Sequence, residues 1–204
     1  MAFGNTRHES NNIVMKKSMM VMGAFLMVCC FTKAKAQVMG VKGGFSIADI
    51  SSTGGNSRTS GHVGLFFNSL LTKSSRNWYI QPEIMYSGEG ERFQTPVGDR
   101  VIALSYINVP VMFQYYPARQ VYVEAGPQLG MLVGAADKDP SRKINVMSDY
   151  NKFALSAGLG VGIQATDQIG FDARYNFGLT NIVANTNFLH YSNVLQVGVA
   201  VRIK

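Results

Sequence analysis

Phe153 to Ile163 reads FALSAGLGVGI, and its odd-numbered positions differ in kind from its even-numbered ones. Phe153, Leu155, Ala157, Leu159, Val161 and Ile163 make one set, and Ala154, Ser156, Gly158, Gly160 and Gly162 make the other. A period of two places successive side chains on opposite faces of an extended strand, whereas a helix would scatter both sets around its axis. The next segment repeats the logic with Ile169, Phe171, Ala173, Tyr175, Phe177 and Leu179 against Gly170, Asp172, Arg174, Asn176, Gly178 and Thr180. A last one sets Leu195, Val197, Val199, Val201 and Ile203 against Gln196, Gly198, Ala200 and Arg202.

Working towards the N-terminus, the same alternation predicts strands over Val38 to Ala48, Gly61 to Leu71, Trp78 to Gly88, Ile102 to Tyr116 and Val121 to Gly134. That makes eight, each long enough to cross a bilayer at a tilt, which takes about 9–11 residues. In the third, Trp78, Ile80, Pro82, Ile84 and Tyr86 oppose Tyr79, Gln81, Glu83, Met85 and Ser87. In the fifth, Val121, Val123, Ala125, Pro127, Leu129 and Met131 oppose Tyr122, Glu124, Gly126, Gln128 and Gly130. Pro82, Pro110 and Pro127 cannot donate to a ladder, so edges or bulges are expected beside them.

The connections alternate in length. Thr72 to Asn77, Pro117 to Gln120 and Thr166-Asp167 are short; Asp49 to Ser60, Glu89 to Arg100, Ala135 to Asp149 and Asn181 to Ser192 are long and polar. Short turns on one rim and long loops on the other, with an even strand number, are the pattern of an outer-membrane barrel. A soluble β-sandwich also alternates, with its apolar face as core and its polar face in water. Here the polar face carries Lys42, Glu83, Glu124, Asp172, Arg174 and Arg202 singly among glycines, which suits the narrow interior of eight closed strands better than a solvated sheet. Trp78, Tyr86, Phe113, Tyr115, Phe171, Tyr175 and Phe177 lie on the apolar face, several near strand ends, as interfacial aromatics do. The fold expected is therefore all-β: an eight-stranded antiparallel up-and-down transmembrane β-barrel. Its inward charges should pair and close the lumen, Glu124 with Arg174 or Arg202, with a conducting pore as the lesser alternative.

Composition agrees. The 204 residues are 47% hydrophobic, 15% charged and 11% aromatic, with 21 glycines, which excludes a disordered tail and a helical bundle. The net charge of +7 would suggest nucleic acid, but much of it sits in a leader. Lys16-Lys17, the uncharged run Ser18 to Phe31 and Ala34-Lys35-Ala36 follow the basic, apolar, small-residue order of a signal peptide. The run is shorter than the roughly 20 residues of a spanning helix. Residues 1–14 read as an upstream extension, 15–36 as a cleaved signal peptide and 37–204 as the barrel domain. Loss of Arg7, Lys16, Lys17, Lys33, Lys35 and Glu9 takes the 19 basic and 12 acidic residues to 14 and 11, or +3. Both cysteines, Cys29 and Cys30, leave too, and Val28 before Cys29 fits lipidation poorly. No nucleic-acid partner, thiol chemistry or cofactor is expected.

Five segments also carry a family resemblance: GVKGGFSIAD (Gly40 to Asp49), QPEIMYSGEG (Gln81 to Gly90), YINVPVMFQYY (Tyr106 to Tyr116), EAGPQLGML (Glu124 to Leu132) and GFDARYNFGLTNI (Gly170 to Ile182). In this order they resemble the PorT-family outer-membrane β-barrels of Bacteroidetes. The resemblance implies an exported single barrel in the cell outer membrane; the founding member of that family is tied to protease secretion through the type IX system. The chain departs from usual barrels in ending Arg202-Ile203-Lys204 rather than on an aromatic.

Chemistry has little to work with. Two histidines remain after the leader, His62 and His190, and Gly158, Gly160 and Gly162 do not open a helix, so neither a metal cluster nor a phosphate cradle is expected. His190-Tyr191-Ser192-Asn193 resembles the HxSN segment of lipid A deacylases, where a histidine on the same strand face as a serine acts as its base. No acidic residue follows Ser192 to orient the histidine, so catalytic residues are expected to be none, with a lipid A hydrolase on His190 and Ser192 as the alternative. The expected partners are outer-membrane lipids and lipopolysaccharide, the barrel-assembly machinery during biogenesis, and a secretion-system or extracellular protein at the long loops. A monomer is expected.

Overall fold

Segments with one lipid-facing and one interior face satisfy all their backbone N–H and C=O groups in an apolar surround by closing into a ring. The computed structural model, which describes residues 38–51, 55–72, 76–96, 98–139, 142–184 and 189–203, takes this form. The strands are β1 (Val38–Ile50), β2 (Asn56–Leu70), β3 (Trp78–Thr95), β4 (Gly98–Tyr115), β5 (Val121–Asp139), β6 (Arg142–Asn145), β7 (Phe153–Gln164), β8 (Ile169–Gly178) and β9 (Ser192–Ile203). Each of β1 to β5 pairs antiparallel with the next, β5 pairs with β7, and β7, β8 and β9 follow. The ring closes where β1 meets β9, from Met39 opposite Ile203 to Ile50 opposite Ser192. Closure of eight strands removes the edges a sandwich would keep. The expected extension (1–14) and signal peptide (15–36) lie outside the described residues.

The face assignments hold throughout. Phe45 is 73% exposed, Leu159 55% and Val197 52%, while Arg174 on the other face of β8 is 1% exposed. Trp78 and Tyr115 pack at 4.8 Å between ring centres on the outer surface at the short-turn rim. The inner face accommodates large side chains by laying them over glycines. A Cβ on Gly162 would stand 2.2 Å from the Tyr122 ring, and one on Gly40 would stand 2.3 Å from Phe66.

The long connections differ from expectation. Glu89 to Arg100 is not a loop: β3 and β4 stay paired out to Thr95 opposite Gly98. Ala135 to Asp149 is likewise partly strand, since β5 runs to Asp139 and folds back as β6, with Ala136 opposite Asn145. Beyond the membrane both strand faces can be wet, so the apolar alternation that marks a spanning strand fades while the ladder continues. A bulge in β5 lies between the Ser105–Gly134 and Tyr106–Leu132 pairs, and past it the inward set becomes Ala135 and Asp137. The prolines leave the register intact: beside Pro82 the pairing steps from Val111 to Met85–Asn108 without a shift.

Candidate functional site

Among the described residues, the buried charged and amide side chains meet in the interior of the ring. Arg174, fully enclosed on β8, donates from Nη2 to Glu83 Oε1 at 2.7 Å, from Nη1 to Glu83 Oε2 at 2.9 Å and from Nε to Glu124 Oε1 at 2.8 Å. β8 and β3 lie on opposite sides of the ring, with three strands between them either way, so the arginine crosses the full lumen. Lys42 on β1 completes the layer, 3.0 Å from Asp172 and 3.4 Å from Glu83. Amides extend the layer around the wall. Asn68 donates to Gln81 at 2.9 Å and to Gln114 at 2.7 Å; Gln81 donates to Glu83 at 2.8 Å, and Gln114 to Glu124 at 2.9 Å.

The expected pairing of Glu124 with Arg174 is present. Its alternative, Arg202, is not part of this layer: it donates to the Tyr116 hydroxyl at 3.2 Å near the short-turn rim. The two arginines belong to adjacent strands, but Arg174 stands opposite Gln196, whereas Arg202 lies beyond the Ile169–Val201 pair at the far end of the same ladder, so they sit at different depths. Arg202 lines a vestibule of about 780 Å³ at that rim with Arg76, Arg119, Tyr79 and Tyr116.

The opposite end is closed differently. Ile50, Leu104, Tyr106, Leu132, Ala135 and Ile182 form an apolar cluster, with Val146, Met147, Tyr150 and Val183 packed on it. Val146, Met147 and Tyr150 come from the β6–β7 connection, and Ile182 and Val183 from the β8–β9 connection, so the two connections fold in over the mouth. They are joined by the Asn151 N–H to Ile182 carbonyl bond, 2.8 Å, and the Ala184 N–H to Asp149 carbonyl bond, 2.8 Å. Burial, then the nearby Glu91, Asp137 and Asp149 carboxylates, push the Tyr150 hydroxyl up to about 12. On the hairpin outside, a hydrogen bond from Arg100 holds Asp137 below the usual carboxylate range. This apolar cap was missed in the sequence, although the apolar residues of Ile144-Asn145-Val146-Met147 and Ile182-Val183 stand out in otherwise polar connections.

Ser192 opens β9 facing inward, and His190 precedes the strand. The Ser192 hydroxyl donates to Glu89 Oε2 at 2.6 Å. His190 Nδ1 lies 3.3 Å from the Ser51 carbonyl, and His190 and Ser192 share no hydrogen bond among the described residues. Glu89, which the sequence reading placed at the start of a loop, is thus the acidic residue beside the serine. The signal was present: Gln81, Glu83, Met85, Ser87, Glu89 and Glu91 continue one inward phase.

Comparison with known proteins returns the same architecture. A search of curated proteins finds no match. Among solved structures, the Neisserial surface protein A (NspA) superposes with a TM-score of 0.61 at 16% identity, covering 83% of this chain and 100% of that one. Ail, the attachment invasion locus protein of Yersinia pestis, superposes at 0.52 with 14% identity, covering 81% and 98%. At such identities the likeness concerns the fold. The family model described as "Outer membrane protein beta-barrel domain" matches residues 35–184, well over half the chain. With its closed ring, apolar exterior and charge-paired interior, the chain belongs to the outer membrane protein β-barrel domain family and is a protein of the outer membrane.

Proposed function

We propose that the protein is a closed, non-enzymatic integral barrel whose work is done by its long hairpins. The observation that carries this is Arg174, which spans the lumen between Glu83 and Glu124. With the apolar cap above it, this layer opposes passage of ions or solutes. The alternating connection lengths orient the short turns to the periplasm and the β3–β4 and β5–β6 hairpins to the outside. Those hairpins offer paired backbone and mixed charge, Arg92 3.5 Å from Asp99 and Arg100 3.8 Å from Asp139, to a partner of the secretion machinery or the medium. Assistance to protein secretion of the PorT kind is the task we assign, after export and removal of residues 15–36. The chain acts as a monomer, contacting lipopolysaccharide along its exterior.

The test replaces the hairpin tip from Arg92 to Val101 with a two-residue turn. Secretion of the dependent proteases should fall while heat-modifiable mobility of the barrel persists; unchanged secretion overturns the assignment. The enzymatic alternative is tested separately by mass spectra of lipid A from cells carrying His190→Ala. Identical acyl content is the outcome expected of a non-enzymatic barrel, and a changed content would overturn that part of the proposal.

A further inference from the structure

Between the charge layer and the apolar cap the barrel encloses a cavity of about 20 Å³. Tyr106 and Asn108 of β4, Gln128 of β5, Asn176 of β8, Ser192 of β9 and Glu89 of β3 line it. Tyr106 Oη, Gln128 Oε1 and Asn176 Oδ1 are buried without a hydrogen-bond partner, in residues 1%, 5% and 1% exposed. Such atoms are costly to bury if nothing meets them, so three of them in residues lining one small space point to a bound species.

Its chemistry follows from the lining. Glu89 is buried, and none of the lysines or arginines described forms an ion pair with it. Three nearby donors already serve it: Ser192 Oγ at 2.6 Å, Ser87 Oγ at 3.2 Å and Asn108 Nδ2 at 3.3 Å. Asn176 Nδ2 is engaged by Gln196 Oε1 at 3.2 Å. The buried atoms left without a partner are oxygens, two amide carbonyls and the Tyr106 phenol, in residues that line the space with Glu89. A water could meet all three, accepting from the phenol and donating to the two carbonyls, but it brings no charge to offset Glu89. A divalent ion fits poorly, because calcium takes six to eight oxygens, usually with several carboxylates, and magnesium keeps several of its waters. The volume is close to that needed by one water-sized particle, about 10–15 Å³, which excludes a hydrated ion or an organic amine.

We propose that this cavity binds one dehydrated monovalent metal cation, held by the Glu89 carboxylate and by the side-chain oxygens of Tyr106, Gln128 and Asn176. The ion joins β3, β4, β5 and β8 just beneath the cap and balances the charge that Glu89 brings inside. This goes beyond the closed-barrel proposal and does not depend on a binding partner.

The experiment uses the barrel refolded in detergent in rubidium chloride or in N-methylglucamine chloride at equal ionic strength. Rubidium should raise the unfolding midpoint saturably, by roughly 5–10 °C at a hundredfold excess over Kd. Crystals grown in rubidium should show an anomalous peak between Glu89 and Asn176. Glu89→Gln, which keeps an oxygen for Ser192, should abolish both signals. Gln128→Met, which removes a neutral oxygen, should weaken rubidium binding at least tenfold and serves if the first variant does not refold. Equal midpoints in the two salts with no anomalous peak would mean that water fills the cavity, and would overturn the proposal, as would a rubidium effect undiminished in the variants.

Discussion

Replacing Arg174 with methionine removes the side chain that joins opposite walls of the barrel while keeping much of its volume. Glu124 would then retain only the Gln114 amide, at 2.9 Å. Glu83 would keep Gln81 and a Lys42 ammonium 3.4 Å away, and that ammonium is shared with Asp172 at 3.0 Å. Three enclosed carboxylates would face one cation. Breaking a buried pair from one side costs about 3–5 kcal/mol, chiefly because the other charge is left uncompensated. Glu124→Gln alone leaves Arg174 its two bonds to Glu83 and should cost about 1–3 kcal/mol. In the double variant one abandoned charge is gone, so its loss should fall short of the sum by about 1–3 kcal/mol. Equilibrium unfolding in urea from lipid vesicles provides the assay. Trp78, the only tryptophan, sits on the outer surface at the short-turn rim and reports insertion by its fluorescence. Additivity within about 0.5 kcal/mol would refute the reasoning.

Gly162→Ala should destabilise the barrel by about 1–3 kcal/mol through its clash with the Tyr122 ring, and Tyr122→Leu in the same chain should recover most of that loss in the same urea titration. Val197→Arg, in the middle of the lipid-facing side of β9, should cost about 2–4 kcal/mol, whereas Leu179→Arg beyond the end of β8 should cost about 0–1 kcal/mol; equal costs would misplace the membrane belt. The depressed Asp137 titration stabilises the β5–β6 hairpin above the ordinary aspartate range and ceases to do so as pH falls through the folded-state value. Arg100 is half exposed, so the contribution is below about 1 kcal/mol; Asp137→Asn should remove the pH dependence of amide protection, taken relative to the intrinsic exchange rate, at Lys138 and Lys143.

Strand identity and facing were legible because lipid on one side and a narrow lumen on the other impose a strict period of two. Phe153 to Ile163 is the clearest case, predicted to within one residue of β7. The Glu124–Arg174 pair was legible from opposite charges on inward positions. Its third member, Glu83, sits across the barrel from Arg174, and contacts across a lumen depend on strand tilt and stagger, which a single strand's pattern does not encode. The ladder from Glu89 to Arg100 was hidden because a hairpin in water needs no apolar face. The cavity site escaped for the same reason, since Glu89 read as the beginning of a polar loop although it keeps the inward phase of β3.

The seam between β1 and β9 has a consequence for how the barrel comes into being. The first strand of the ring waits for the last one, and until they meet both present unsatisfied backbone along their whole length. Contacts between such distant parts of a chain are slow to form, and unpaired alternating strands are prone to associate with one another. The facing edges of β1 and β9 are satisfied only when both strands are in place, so a lesion in β9 should be felt during closure of the ring as keenly as one in β1.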